Sequence, residues 1–202
     1  MLMFLIYGST KLINLENLIG LSLLNSKLKC IIFKIKKMAK ITLKGNPVNT
    51  YGELPSKGKK APAFRLVKSD LGELSLEELR GKKVILNISP SLDTSVCATA
   101  IRRFNELAAG RNDTVVLAIT KDLPFAHVRF CSTEGINDVI TLSGFRDSSF
   151  GKDYGVEVID GSFTGLYARS IVVIDGEGIV RYTELVPEIA QEPDYESALA
   201  AL

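Results

Sequence analysis

The densest chemistry in this sequence lies between Pro90 and Cys97, in the segment Pro90-Ser91-Leu92-Asp93-Thr94-Ser95-Val96-Cys97. An apolar run, Val84-Ile85-Leu86-Asn87-Ile88, precedes it, and a stretch with helical spacing, residues 100–108, follows. A strand therefore ends, the chain turns at a proline, and a cysteine lands in the first turn of a helix. Unpaired backbone N–H groups and the positive end of the helix dipole favour a thiolate there, and the thiolate is the nucleophilic form of cysteine. Thr94, three residues ahead of the sulfur, brings a hydroxyl beside it. Pro90 screens it from water and offers no competing N–H. A helix start alone is a modest lever, so fast nucleophilic chemistry needs a further group that stabilises charge as bonds break. A guanidinium, always charged and forked, is the natural partner.

These residues need a strand to deliver the proline and a helix to aim the sulfur. Residues 83–89 supply the strand, and Val96, Ala100, Ile101, Phe104, Leu107 and Ala108 place one apolar face on the helix. After a turn at residues 110–113, residues 114–120 read as a second buried strand. Strand, helix and strand at this spacing predict a right-handed crossover between parallel strands. Upstream, residues 41–43 and 48–51 flank Lys44-Gly45-Asn46-Pro47 as a hairpin, and residues 64–67 form a short strand. Ser75-Leu76-Glu77-Glu78 is a capping box for a brief helix that Gly81 closes. Downstream, Asp122 is expected to cap a helix with Pro124 in its first turn, carrying Cys131 toward Gly135. Residues 139–142 form a strand and 148–154 a helix. A hairpin of residues 170–174 and 179–184 turns at Asp175-Gly176-Glu177-Gly178, and residues 193–202 form a last amphipathic helix. The order predicts an α/β domain of thioredoxin type, a mixed central sheet flanked by helices with an N-terminal β-hairpin extension.

Composition supports one globular domain within the 202 residues, 46% apolar and 24% charged. The formal charge of +2 hides an asymmetry. Residues 1–37 hold six lysines against Glu16 alone, which leaves 19 basic and 22 acidic groups in residues 38–202. The body is thus mildly acidic, and a nucleic-acid partner has no support. Residues 1–37 differ in texture. Their apolar stretches are too short and interrupted to span a membrane, and they form no clean secretory signal. We expect the working protein to start at Met38, with residues 1–37 a start-site extension and residues 38–202 the folded domain. Three cysteines without a stapling pattern argue against a secreted disulfide framework, and the expected location is cytoplasmic. With a single histidine and no CxxC, a histidine-based zinc site is improbable.

The spacing Pro-x-x-x-Thr-x-x-Cys resembles the active-site motif of the peroxiredoxins. The likeness extends through Gly45-Asn46-Pro47-Val48, Leu86-Asn87-Ile88, Asp122-Leu123-Pro124-Phe125-Ala126, Arg129-Phe130-Cys131, Ala168-Arg169 and Glu192-Pro193-Asp194-Tyr195-Glu196. Across residues 38–202 the set is similar to the bacterial thiol peroxidases, the atypical two-cysteine class. That resemblance implies a thioredoxin-fold homodimer reducing hydroperoxides without a metal or bound cofactor, with Cys97 as the peroxidatic cysteine and Cys131 as the resolving one. It implies that Thr94 and Arg169 activate the thiolate and bind peroxide, that Pro90 shields the sulfur, and that thioredoxin reduces an intrachain disulfide.

Each residue also has a plainer reading. A lone cysteine at a strand–helix junction is most often a small buried hydrophobe, and Cys131 by itself is a core residue of a helix. Thr94 reads most simply as an N-cap, and Arg169 as a surface ion-pair residue. His127 invites a Cys–His hydrolase, but no orienting carboxylate is evident. Ser89 and Ser95 read as turn and capping residues, and Lys59-Lys60 as solvated loop. Two other functions compete with a peroxidase. A protein thiol–disulfide oxidoreductase is weakened by the missing CxxC, and a non-enzymatic redox sensor would use the same cysteine pair.

Overall fold

The computed structural model describes residues 38–202; the start-site expectation, and Cys30 with it, lies outside them. Strands β1 (Lys40–Leu43) and β2 (Asn46–Asn49) form the expected hairpin, a separate two-stranded sheet with Ile41 opposite Val48. The main sheet has seven strands among the described residues. They are β3 (Arg65–Lys68), β4 (Glu73–Ser75), β5 (Lys83–Ile88), β6 (Thr114–Thr120), β7 (Val139–Ser143), β8 (Ser170–Ile174) and β9 (Val180–Leu185), in the order β4-β3-β7-β6-β5-β8-β9. Strands β5, β6 and β7 run parallel, and β3, β4, β8 and β9 add antiparallel pairs at the two sides. This is the mixed sheet of a thioredoxin fold.

The crossover after β5 is helix α1 (Ser95–Ala108), which buries Cys97, Ala100, Ile101, Phe104 and Ala108. Val96 and Leu107, placed on that face by spacing, are only half-buried. Beneath α1, Ile85, Val116, Ala118, Ile171 and Val173 form one core with Phe104, whose burial contributes about 2–3 kcal/mol. A second core on the other residues of the same strands gathers Leu86, Ile88, Leu117, Ile119 and Val172 around Phe64, Phe150 and Tyr154. Strands buried on both faces read as unbroken apolar runs, which is why β5, β6 and β8 were legible without alternation.

Helix α2 (Pro124–Glu134) starts at a proline, which costs no hydrogen bond at that position, and stops at Gly135 in the left-handed conformation, φ 67°. The expected cap is wrong: Leu123 is the N-cap, and Asp122 spends its carboxylate elsewhere. Helix α3 (Phe150–Asp153) is one turn, shorter than expected. Helix α4 (Tyr195–Ala200) is capped by Asp194, whose side chain accepts from the Ser197 N–H. The Ser75–Glu78 capping box exists, opening a 3-10 turn (Leu76–Leu79) rather than an α-helix. Strand β4 is too short to carry a period, and only pairing with β3 defines it.

The N-terminal hairpin is tied to the far end of the chain. Glu188 accepts from the backbone N–H groups of Lys44 (2.9 Å) and Gly45 (3.0 Å) and from Thr42 Oγ1 (2.8 Å). The Gly45 N–H, then those of Ala190 and Lys44 and the Thr42 hydroxyl, hold its carboxyl down at about 2. The same loop turns its Ile189 carbonyl inward, where it meets an arginine of the site.

Candidate active site

The residues around Cys97 sit where strands and helices start or stop, whereas Cys131 lies within α2. Strand β5 runs out at Ile88, and buried Ser89 and Pro90 follow. A tight turn then closes with the Thr94 N–H donating to the Ser91 carbonyl (3.3 Å), and α1 starts one residue later. Thr94 has the extended backbone of an N-cap, φ −90° and ψ 140°, but its hydroxyl makes no capping bond. It lies 2.6 Å from Cys97 Sγ instead. The plain reading of Thr94 as a cap therefore holds for its backbone and fails for its side chain.

Arg169 arrives from 72 residues away. Antiparallel pairing of β5 with β8 sets Ile88 opposite Ser170, so the residue before β8 stands beside the exit of β5. Its guanidinium is 1% exposed, and Nη2 donates to Cys97 Sγ at 3.2 Å. Nε donates to the Ile189 carbonyl at 2.9 Å, which locks the fork in orientation. Nη1 is buried without an acceptor among the described residues, a donor left over beside the sulfur. Arg169 is thus no surface ion-pair residue. Cys97 itself is fully buried, with a hydroxyl and a guanidinium on its sulfur and the open N–H groups of a helix start around it. A cation at 3.2 Å in a poorly hydrated site stabilises negative charge on the sulfur far more than it would in water. What such a sulfur can do is attack an electrophile whose leaving atom gains charge next to the same guanidinium.

Cys131 lies on α2, half-buried against the core under α1, with its Sγ 4.0 Å from Thr141 Oγ1 on β7. Burial pushes its thiol up from the ordinary range, with Thr141 pulling weakly the other way. Both cysteines are free thiols. Cys97 and Cys131 stand on neighbouring elements of one core, each engaged with other partners.

The structure does not bring His127 to the sulfur. It is wholly buried on α2, with Nε2 2.9 Å from Thr120 Oγ1. Loss of hydration lowers it from 6.5 to about 4, against an upward pull from the Asp122 charge. The unfolded chain takes up this proton near pH 6.5, so between about 6.5 and 4 the unfolded state binds more protons and stability falls as pH falls. Denaturant unfolding at pH 7 and pH 5 should show a loss of about 2 kcal/mol from this group. His127→Gln should remove that part of the difference; an unchanged difference would mean that other groups set it.

Two polar residues behave differently from expectation. Ser89 is neither turn nor cap: it is fully buried on the sheet, its Oγ without a partner among the described residues, as is the amide of Asn87 two positions earlier. Asp122 accepts from Ser91 Oγ (2.9 Å), the Leu92 N–H (2.7 Å) and Thr120 Oγ1 (3.0 Å), contacts no local pattern announces. A cleft of about 480 Å³ lined by Lys60, Phe64, Arg80 and Asp175 contains none of the residues on the sulfur.

A buried cysteine at a helix start thus carries a threonine hydroxyl and an arginine guanidinium on its sulfur, within a thioredoxin-type sheet. The Redoxin family model matches residues 56–199. A thiol peroxidase of Mycobacterium tuberculosis is 61% identical over 165 residues, covering 82% of this chain and 99% of the relative. One of Corynebacterium glutamicum is 54% identical over 166 residues, covering 82% and 99%. Among solved structures, a peroxiredoxin-like protein from Aquifex aeolicus superimposes with a TM-score of 0.76 at 40% identity, covering 81% of this chain and 95% of that one. The chain belongs to the Redoxin family and, within it, to the bacterial thiol peroxidases. It is a thiol-dependent peroxidase, an antioxidant oxidoreductase.

Proposed function

We propose that Cys97 is the attacking sulfur and Cys131 the resolving one, and that the oxidised pair is reduced by a thioredoxin-type dithiol. The observation that carries this reading is the placement of Cys97 Sγ between Thr94 Oγ1 and Arg169 Nη2. Thiolate sulfur attacks the nearer oxygen of a hydroperoxide, the O–O bond breaks, and the departing oxygen leaves as water or alcohol after taking up a proton. Cys97 is oxidised to a sulfenic acid. The developing charge on the leaving oxygen falls to Arg169, whose Nη1 donor is uncommitted, and Thr94 steadies the sulfur. Pro90, buried beside the turn, limits water.

Cys131 then displaces hydroxide from the sulfenic sulfur, releasing water and closing an intrachain disulfide. For the two sulfurs to bond, Cys97 must leave Thr94 and Arg169, and Cys131 must leave Thr141. A dithiol donates two electrons and two protons by exchange and restores both thiols. Hydrogen peroxide and organic hydroperoxides are the substrates. We place the enzyme in the cytoplasm as a homodimer, as its likeness to the two-cysteine class implies.

A peroxidase assay coupled to thioredoxin and its reductase, with mass measured before and after oxidation, tests the whole cycle. The oxidised chain should be lighter by two hydrogens and remain a single chain without reducing agent. Cys131→Ser should complete one turnover and accumulate the sulfenic acid at Cys97. A covalent dimer joined through Cys131, or sustained turnover by Cys131→Ser, would sink the intrachain assignment.

A further inference from the structure

Asp122 is placed to do more than end a strand. It stands where β6, β7 and α2 meet, and it is fixed there by bonds that do not involve the cysteine turn. Its N–H donates to Thr120 Oγ1 (3.1 Å), and its carbonyl accepts from Ser143 Oγ on β7. The Thr120 hydroxyl has one proton, and given to Asp122 Oδ2 it leaves the His127 Nε2–H as the donor to Thr120 Oγ1. From this anchored position the carboxylate reaches across about 30 residues of sequence. Oδ1 takes the Ser91 hydroxyl and Oδ2 takes the Leu92 N–H, the shortest of the carboxylate's bonds at 2.7 Å.

Those two contacts hold the first half of the turn that ends in Thr94. The Ser91 carbonyl receives the Thr94 N–H, and the Thr94 hydroxyl, 3.3 Å from that carbonyl, reaches 2.6 Å from the sulfur. Leu92 is 1% exposed and packs in the core under α1, so its N–H relies on the Asp122 carboxylate as its acceptor. A tie between this turn and α2 itself, Arg129 to Asp93 at 3.2 Å, is solvent-exposed and contributes little.

We propose that Asp122 is a positioning residue for the peroxide step. It holds the Ser91–Leu92 turn so that Thr94 and Cys97 stand in attacking geometry, and it releases that turn when the sulfenic sulfur moves to meet Cys131. The inference rests on the reading of Cys97 as the attacking sulfur. Displacement of a reacting group by about 1 Å is enough to cost on the order of a hundredfold, so a single anchor of this kind has a large effect on rate.

The test separates the two chemical steps in the full chain. Sulfenic acid formation is followed in a Cys131→Ser background, by rapid quenching into a dimedone-type trap and mass analysis. Disulfide closure is followed in the chain with both cysteines. Asp122→Ala should slow sulfenic acid formation about tenfold or more per folded molecule and leave closure as fast or faster. The ratio of the two rates then moves by at least tenfold. Asp122→Asn should recover sulfenic acid formation to within about threefold of native, because its carbonyl can keep Leu92 and Thr120 while its amide donates to Ser91 Oγ. If Asp122→Ala does not fold, Ser91→Ala removes one bond of the set and should still lower the ratio by threefold or more. A merely structural role lowers the folded fraction and leaves the ratio where it was. An unmoved ratio, or sulfenic acid formation in Asp122→Ala within threefold of native, overturns the proposal. Absence of any sulfenic acid at Cys97 in the Cys131→Ser background overturns it together with the site reading beneath it.

Discussion

Cys97→Ser should consume no hydroperoxide beyond the uncatalysed background, in coupled turnover and in a single-turnover experiment alike. The substitution is small, and a serine hydroxyl fits between Thr94 and Arg169 with little disturbance of α1, so the loss should be chemical rather than structural. Serine differs in two ways that matter: its oxygen ionises far less readily than a thiol, and oxygen has no accessible state corresponding to sulfenic acid. The guanidinium at 3.2 Å cannot make up for either. The free thiol of Cys131 remains in this variant, yet its Sγ is half-buried beside Thr141 and burial favours its neutral form. It should therefore not substitute. Peroxide loss measured with thioredoxin in excess, together with circular dichroism to show that the fold is kept, decides the matter. Repeated turnover by Cys97→Ser would remove the sulfur from the centre of the mechanism.

Arg169→Ala should slow the peroxide step by about a hundredfold or more, a barrier increase on the order of 3 kcal/mol. The side chain serves both ends of the reaction. Nη2 stabilises charge on the sulfur before attack, and the uncommitted Nη1 is available to the oxygen that leaves. Removing it takes away a cation 1% exposed to solvent and leaves the charge on the sulfur and on the departing oxygen without a buried counter-charge. Arg169→Lys is informative beside it. A lysine keeps the charge but is a single point on a flexible stem, so it cannot hold the Ile189 carbonyl and the sulfur together. We expect Arg169→Lys to lose about tenfold, in the attack rate rather than in disulfide closure. Stopped-flow measurement of the first step with hydrogen peroxide separates these variants. An Arg169→Ala rate equal to native would mean that Thr94 and the helix start suffice.

The loop that holds Arg169 explains why the N-terminal hairpin belongs to this domain. Glu188 fastens the hairpin turn at Lys44 and Gly45, and the next residue supplies the carbonyl that orients the guanidinium. A hairpin with no hydrogen bond to the sulfur is thus joined, through Glu188 and the Thr42 bonds to Pro187 and Ile189, to the loop whose carbonyl orients Arg169.

What the sequence by itself determined was whatever depends on neighbours along the chain. Apolar runs gave β5, β6 and β8; period and capping gave α1; and the three-residue spacing from Thr94 to Cys97 brought hydroxyl and sulfur together, because one helical turn does so wherever it occurs. Proline at 124 and glycine at 135 bounded α2 for equally local reasons. Tertiary structure decided which of several available partners each polar group took. Asp122 had the local signature of a cap, yet its carboxylate found better donors in Ser91 and Leu92, about 30 residues back, once parallel pairing of β5 and β6 brought their ends side by side. Ser89 resembled a turn residue until the sheet closed over it. Arg169 could have faced water on the strength of its own surroundings, and only the register of β8 against β5 aims it at the sulfur. Short-range geometry is written into the order of residues, whereas the choice among distant hydrogen-bond partners exists only when the packed chain has removed the competing water.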